Sequence, residues 1–329
     1  MKYLVIIFSI LISLPSAAQD DAKTLFETAK NYERQGDYQN AVLVLNRAIQ
    51  QDGDNEDLVR ELAFVHYLQR DYNKALNTIK PIIDRKDTQV PTFQVAGMIY
   101  KAASDAGEAE KLYKKAIKKY PQSGALYSEY GELLWAKQDY SAIKQWEKGI
   151  EEDPNYAGNY YHASRYYYFT MDKTWSLLYG EIFVNMESYT RRTIEIKNIL
   201  VNGYKKLFTD QDIMKNQGNL NAFATAFLNN MSDLSSLAGY GITPESLTMI
   251  RTRFILEWDE KYAGKYPYRL FEYHRQLLKE GLFEAYNQWL FGSVQNLTAL
   301  QRISPSSAIF TSTPSMSGPT VPNILSFTS

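Results

Sequence analysis

The chain has 329 residues, with 36 Lys and Arg against 37 Asp and Glu, 45% hydrophobic residues and no cysteine. The lack of cysteine excludes disulfides, thiolate metal sites, a cysteine nucleophile and lipid attachment through cysteine. A formal net charge of -1 gives no reason to expect nucleic acid as a partner, because such binding depends on clustered basic charge.

The first 18 residues have the three-part pattern of a signal peptide. Lys2 precedes an apolar run from Tyr3 to Leu14, and residues 15–18 provide the small side chains of a cleavage site. A membrane anchor is the alternative, but a span needs about 20 apolar residues and this run is shorter. We therefore expect cleavage after Ala18 and a mature chain that is periplasmic or secreted, with no later segment that spans a membrane.

Residues 22–190 repeat with a period close to 34. One small residue recurs at spacings of 34, 34, 34 and 32, a second small residue follows it in four of the units, and an Asp lies in each intervening turn. A fixed period of this kind is the signature of a repeat architecture. The three series are Ala29, Ala63, Gly97, Gly131 and Ala163; Ala41, Ala75, Ala109 and Ala142; and Asp37, Asp71, Asp105, Asp139 and Asp172.

These series resemble the tetratricopeptide repeat (TPR), whose unit is a helix–turn–helix hairpin with small residues where the two helices cross. The resemblance implies an all-α fold, a TPR α-solenoid of four to five repeats within residues 19–190. Stacking is required because a single hairpin cannot bury its apolar face. The fifth unit matches less well than the first four. The predicted repeats are residues 22–55, 56–89, 90–123, 124–156 and 157–190.

The resemblance also implies that the first helix of each repeat faces the concave side of the solenoid and supplies the binding surface. Aromatic and Arg residues there are the usual energetic centres of an interface, which favours a protein or peptide partner. The alternative is that several of these rings are buried between repeats. The predicted partner-binding residues are Phe26, Lys30, Arg60, Phe64, Tyr67, Gln94, Met98, Lys101, Glu132, Trp135, Tyr160 and Tyr167, with Ser128 and Ser164 on the same face.

Chaperone-binding members of this family hold a C-terminal carboxylate with Lys, Asn and Arg residues at fixed positions of three successive repeats. The equivalent positions in the first two repeats of this chain hold Phe26, Lys30 and Glu61, and those in the third hold Pro91 and Val95. The carboxylate clamp is therefore absent from this register.

Residues 156–169 form the densest aromatic stretch of the chain. At helical spacing Tyr160 and Tyr167 share one side, whereas Tyr161 and Tyr168 share another, so the helix is aromatic on more than one face. This pattern suits a buried junction between the repeats and the residues that follow. The alternative is a platform on which a glycan or a peptide stacks.

Residues 186–302 keep helical periodicity but lose the repeat register, which predicts a helical extension that caps the array. Two helices are predicted at 244–262, with Thr243 as the cap and Pro244 at the first position, and at 267–291. Residues 303–329 are rich in Ser, Thr and Pro and carry no charge, which predicts a disordered tail. A shifted reading frame and an O-glycosylated, adhesive segment are the alternatives for this tail.

The sequence contains no recognisable catalytic motif. Its three histidines, His66, His162 and His274, lack a second ligand at metal-motif spacing, and there is no nucleophile elbow, P-loop or dinucleotide fingerprint. We predict no catalytic residue, metal or cofactor, and a non-enzymatic scaffold for a protein or peptide of the cell envelope. The chain resembles exported TPR proteins of Gram-negative bacteria, which implies no activity. The alternatives are a glycan- or nutrient-binding accessory protein and an enzyme with its site within 186–302.

Overall fold

A computed structural model describes residues 21–170, 172–209, 213–214 and 220–294. Every regular element in these residues is a helix, which confirms the predicted all-α class. No helix in this part of the chain is both long enough and apolar enough to cross a bilayer. The predicted signal peptide (1–18) and the predicted tail (303–329) lie outside the described residues.

The helices belong to two compact units that divide between Asp105 and Ala106, inside the third predicted repeat. The helices of the first unit are α1 (Ala22–Arg34), α2 (Tyr38–Gln51), α3 (Glu56–Leu68), α4 (Tyr72–Ile83) and α5 (Val90–Ala102). Those of the second unit are α6 (Ala106–Lys119), α7 (Gly124–Ala136), α8 (Ala142–Glu152), α9 (Ala157–Phe169), α10 (Lys173–Met186), α11 (Arg191–Thr209), α12 (Ala222–Ser232), α13 (Pro244–Lys261), α14 (Arg269–Lys279) and α15 (Phe283–Asn287), with a 3-10 helix (Ser235–Tyr240) and a π-helix (Gln288–Gly292).

The same turn recurs inside each of the first four repeats, and the recurring Asp ends it. The residue before each Asp has a positive φ of 60° to 77°, and the Asp N–H donates at 2.9–3.0 Å to the carbonyl five residues earlier. This geometry closes the end of a helix with a left-handed residue. The left-handed residues are Gly36, Arg70, Ser104 and Gln138.

The Asp side chains then start the next helix. The carboxylate of Asp37 accepts from the backbone N–H of Asn40 at 3.2 Å, and that of Asp71 accepts from the N–H of Lys74 at 3.1 Å. A side-chain oxygen in this position satisfies one of the unpaired donors at a helix N-terminus. The Asp series therefore has a physical reason: it ends one helix of the hairpin and caps the other.

The two series of small residues are buried at the places where the helices of each hairpin cross. Ala29, Ala41 and Ala75 are 0–1% exposed. At Gly131 a Cβ would lie 2.2 Å from Nε1 of Trp146, so glycine is required for α7 and α8 to approach this closely. From α1 to α5, and again from α6 to α11, each helix contacts the next one along the chain, as the repeat register predicts.

The C-terminal part of the second unit departs from the predicted helices in one place. The α13 N-terminus is as predicted, with Thr243 accepting from the Ser246 N–H at 3.2 Å and Ser246 returning the bond. The single helix predicted at 267–291 is wrong. Gly281 has a φ of 71° and ends α14, and the chain restarts as α15. A left-handed residue cannot continue an α-helix. The sequence did not indicate this break, because the apolar residues on either side of Gly281 continue one amphipathic pattern.

Candidate functional site

The predicted binding residues of the first unit lie on α1, α3 and α5, the first helices of the first three repeats. We call this surface the first helix face. All of its members are half-buried, which leaves each side chain a surface for contact. The members are Phe26, Lys30, Arg60, Phe64, Tyr67, Gln94, Met98 and Lys101.

A cluster of three charges joins α1 to α3 on this face. Lys30 Nζ donates to Glu33 at 2.9 Å and to Glu61 at 2.7 Å. Burial of Glu61, together with its hydrogen bond to Glu33, raises its pKa to about 7, although Lys30 opposes the shift. Burial also acts against the charge of Lys30, but the two carboxylates raise its pKa overall. Near neutral pH the cluster therefore exchanges one proton and carries little net charge.

A row of larger side chains runs along α3 at helical spacing. Arg60 Nη2 pairs with Asp57 at 2.6 Å, and Nη1 of the same guanidinium is buried with no hydrogen-bond partner among the described residues. One and two turns further on, Phe64 and Tyr67 stack with 5.9 Å between their centroids, and Tyr72 lies 6.0 Å from Tyr67. A half-buried Arg next to two rings has the composition of an interface centre.

The second unit carries its own aromatic cluster on α7 and α9. Trp135 lies 5.4 Å from Tyr166 and 5.8 Å from Tyr140, measured between ring centroids. Glu132 is exposed, and its carboxylate is 3.5 Å from Nε2 of His162. Trp135 and Glu132 thus retain accessible surface, and their role in binding stays a prediction.

Three residues predicted for the binding face do not reach the surface. Tyr160 and Ser164 are 0% exposed, and Ser128 is 4% exposed, so the prediction of Tyr160 as a contact residue is wrong. The physical reason is that α9 packs against α7, α10 and α11 and has little free surface. Tyr167 is half-buried, and its hydroxyl donates to Glu147 at 2.7 Å. The predicted buried junction for the aromatic stretch therefore applies to Tyr160 and to its neighbour Tyr161, which is 8% exposed.

Sequence reasoning missed several residues that these surfaces contain. Glu33 occupies the same repeat position as Tyr67, so the register alone was sufficient to find it. The register did not indicate Tyr140 or Tyr166 as surface residues. Tyr140 lies in a turn, and Tyr166 lies three residues after Ala163, at a position assigned to packing inside the repeat. Glu61 is 8% exposed, and in the sequence it was considered only as the equivalent of a carboxylate-clamp residue.

A buried polar cluster between α10, α13, α14 and α15 was also not predicted. The carboxylate of Glu181 accepts from Arg251, lies 2.7 Å from His274 Nε2 and accepts from Tyr286 at 2.8 Å. Burial alone would raise the pKa of Glu181, but Arg251 and His274 lower it to about 2. Burial and the nearby Arg251 lower the pKa of His274 although Glu181 opposes them. The charge of Glu181 is thus compensated by Arg251, and we interpret the cluster as structural.

The described residues contain no group of three or more His, Asp or Glu side chains able to hold a metal ion. Lys114, one of five lysines on α6, is paired with Glu110 at 2.8 Å. The geometry of the described surfaces therefore supports contact with a protein chain more directly than it supports metal or phosphate binding.

Family models support the repeat architecture in the first part of the chain. Models of the tetratricopeptide repeat match residues 32–94 and 96–123. The chain is similar to a thermophilic TPR protein of Thermus thermophilus, at 13% identity over 55% of this chain and 99% of that one, with a TM-score of 0.45. It is also similar to a TPR protein of Parabacteroides merdae, at 14% identity over 78% of this chain and 97% of that one, with a TM-score of 0.44.

A third similar structure is YrrB, described as a TPR protein with an unusual peptide-binding site, at 14% identity over 54% of this chain and 92% of that one, with a TM-score of 0.38. No curated protein sequence matches the chain. The matched residues lie within the first three predicted repeats, residues 22–123. The chain therefore contains tetratricopeptide repeats within residues 32–123.

Proposed function

We propose that this protein is an exported scaffold that binds an extended peptide segment of a cell-envelope protein along the first helix face. The TPR fold supports an interaction role, because its stacked hairpins present rows of side chains from successive helices. The proposal assigns no reaction to the chain. Its partner is a polypeptide that lies across α1, α3 and α5.

The observation that carries this proposal is the row of Arg60, Phe64 and Tyr67 on α3. The Arg60 side chain is 18% exposed and retains an unpaired N–H, and the two stacked rings are half-buried beside it. Peptide carbonyl or carboxylate oxygens match the guanidinium, and apolar side chains match the rings. We expect selected peptides to combine an acceptor group with an aromatic or aliphatic residue.

A peptide library selected against the mature chain tests the binding surface. Peptides recovered with the wild type are measured against Arg60→Met and Phe64→Ala by fluorescence anisotropy. We expect each substitution to weaken binding at least about tenfold, the loss typical of an interface centre. Leu43→Ala is the matched control, because Leu43 is 58% exposed on α2, the second helix of its hairpin. Equal affinities for all four proteins would contradict the proposal.

Export is a separate part of the proposal and rests on residues 1–18 alone. N-terminal sequencing of the protein recovered from fractionated cells measures it directly. We expect the periplasmic or secreted fraction to contain a chain that begins at Gln19. A chain that retains Met1 in the cytoplasmic fraction would contradict export without affecting the peptide-binding part.

A further inference from the structure

A cavity of about 180 Å³ lies where the end of α13 meets the start of α14. It is smaller than the roughly 300–1,000 Å³ of pockets that hold drug-sized ligands, so it has space for one small ring. None of its residues belongs to the surfaces proposed for partner binding. The two helices line it with Ile255, Trp258, Asp259, Phe271, Glu272 and Arg275.

Trp258 is the first sign that this cavity has a ligand. Its side chain is 2% exposed, and its indole Nε1 is buried with no hydrogen-bond partner among the described residues. Buried indole N–H groups normally have a partner, and each exception requires an explanation. Tyr262 and Tyr266 of the connecting loop lie 5.2 and 6.4 Å from the indole, measured between centroids. A ligand oxygen that takes the place of one of these rings would supply the missing acceptor.

The charges around the cavity restrict the chemistry of that ligand. Asp259 and Arg275 form an ion pair at 2.5 Å, and both side chains are 44% exposed. Glu272 is exposed on the same wall. A cation would meet the guanidinium, and an anion would meet two carboxylates. The mixed lining therefore favours a neutral ligand whose groups both donate and accept hydrogen bonds, which is the property of hydroxyl groups.

The remaining lining is apolar and partly aromatic. Tyr268 and Phe271 form one wall, and Ala263 and Pro267 of the loop form another. Such walls suit the C–H surface of a ring, whereas the polar groups suit hydroxyls around its edge. We propose that this cavity binds one neutral sugar ring, free or at the end of a glycan. An oxygen of the sugar accepts from the Trp258 indole, and its hydroxyls bridge Arg275 and Glu272.

Nitrogen-15 labelling of the tryptophan indoles provides a direct test on the mature chain. The chain has five tryptophans, and Trp258→Phe identifies the resonance of interest by its loss. Glucose, mannose and N-acetylglucosamine are titrated, each free and as its methyl glycoside. We expect at least one sugar to move the Trp258 resonance saturably while the other indoles stay in place. Binding of methyl glycosides would identify the end of a glycan, and binding restricted to free sugars would identify a free ligand.

Two variants locate the sugar within the cavity. Arg275→Met removes a donor from the rim, and Ala263→Leu fills space beside the loop. Each should weaken the titration at least about tenfold, because a hydrogen bond to a charged group or the space for the ring is lost. Arg253→Met is the matched control, since Arg253 pairs with Glu257 on the same helix at 2.7 Å and is not part of the cavity wall.

Three results would overturn the proposal. The first is a Trp258 resonance that no sugar moves, as expected of a cavity that holds only water. The second is an equal response to acetate or to n-butylamine, which would indicate a charged ligand. The third is undiminished binding in both cavity variants. Peptide binding by the first helix face is measured separately, so failure of one proposal leaves the other unaffected.

Discussion

Contacts within the two-helix repeats join residues that are closer in sequence than those joined by contacts within the helical extension. In the repeats, Lys30 reaches Glu61, which is 31 residues away, about one repeat. In the extension, Glu181 bonds to Arg251, His274 and Tyr286, which are 70, 93 and 105 residues away. Other contacts between neighbouring repeats span similar distances, such as the 33 residues from Glu56 to Gln89, whereas the contacts of the buried cluster span two to three times as many.

This difference shows where each region depends on a single residue. A repeat array distributes its stability over similar neighbouring interfaces, so one charge pair contributes little. The buried cluster places a carboxylate, a guanidinium and an imidazole in a low-dielectric interior, where each group depends on the others for compensation. We expect the extension to be sensitive to one substitution and the repeats to respond mainly at their helix crossings.

The largest effect is expected from Glu181→Leu. It leaves Arg251, which is 2% exposed, without its anionic partner. An uncompensated buried charge of this kind costs about 3–5 kcal/mol. Tryptophan fluorescence during urea unfolding measures it, because all five tryptophans lie in the second unit.

Two further variants determine whether the unpaired charge of Arg251 causes the loss of stability in Glu181→Leu. Glu151→Ala breaks an exposed pair with Lys148, in which Glu151 is 70% exposed, and should leave the unfolding midpoint near that of the wild type. Adding Arg251→Met to Glu181→Leu should restore part of the stability, since the unpaired charge is then removed. A single variant as stable as the Glu151→Ala control would show that the cluster does not stabilise the extension.

The repeats could be predicted from the sequence because their physical causes recur. A small residue at a crossing, such as Gly131, and an Asp after a left-handed residue, such as Asp71, appear at a fixed period and mark the first four hairpins. The break at Gly281 had no such repetition, and the apolar residues on either side of it continue one amphipathic pattern. Periodicity therefore located the hairpins and misread the extension.

The candidate binding residues could be predicted only as far as the register assigns a face. It placed Arg60, Phe64 and Tyr67 together on α3, and they lie together in the structure. The register also assigned Tyr160 of α9 to the predicted concave side. Packing of α9 against several neighbours buries this ring completely. The repeat register predicts which side of its own helix a side chain lies on. It does not predict the burial of that side chain, because burial also depends on helices such as α10 and α11 that follow in the sequence.

A helix crossing tests the repeats themselves. Gly131→Ala places a Cβ against the Trp146 indole, which donates to the Ser128 carbonyl at 3.1 Å. Alanine gains about 1 kcal/mol in helix propensity, but overpacking of a rigid, buried indole costs about 1–3 kcal/mol. Because the indole hydrogen bond is also disturbed, we expect a net loss of about 1 kcal/mol, measured by the same urea unfolding.

Gly264→Ala is the matched control for this prediction. No atom lies within 4 Å of a Cβ at Gly264, and its φ is not positive. The control should be neutral or up to about 1 kcal/mol more stable, because alanine restricts the unfolded chain. If Gly131→Ala were as stable as this control, the close approach of α7 and α8 would not depend on glycine.

A further expected effect is a pH dependence of the Glu61 contribution in the repeats that is opposite in sign to that of His274 in the extension. The folded-state pKa of Glu61 is about 7, raised from 4.5, so the folded unit holds a proton that the unfolded chain has released. The contribution of Glu61 to stability is therefore complete below pH 4.5 and is lost as the pH rises towards 7. His274 has a lowered pKa, so its contribution is complete above pH 6.5 and is lost as the pH falls below it.

Glu61→Gln separates these two contributions, because the amide is neutral at every pH and keeps the size of the carboxyl group. Relative to the wild type, the variant should gain on the order of 1–2 kcal/mol between pH 5 and pH 8, measured by circular dichroism during urea unfolding. Leu43→Ala, which removes an exposed apolar side chain from the same unit, should keep the wild-type pH dependence. If Glu61→Gln and the wild type showed parallel pH profiles, the proton would not reside on Glu61, and Glu33 would be the next group to substitute. The sign distinguishes the two groups even where the magnitude is small, since the contribution of Glu61 falls as the pH rises from 5 to 7 and that of His274 rises.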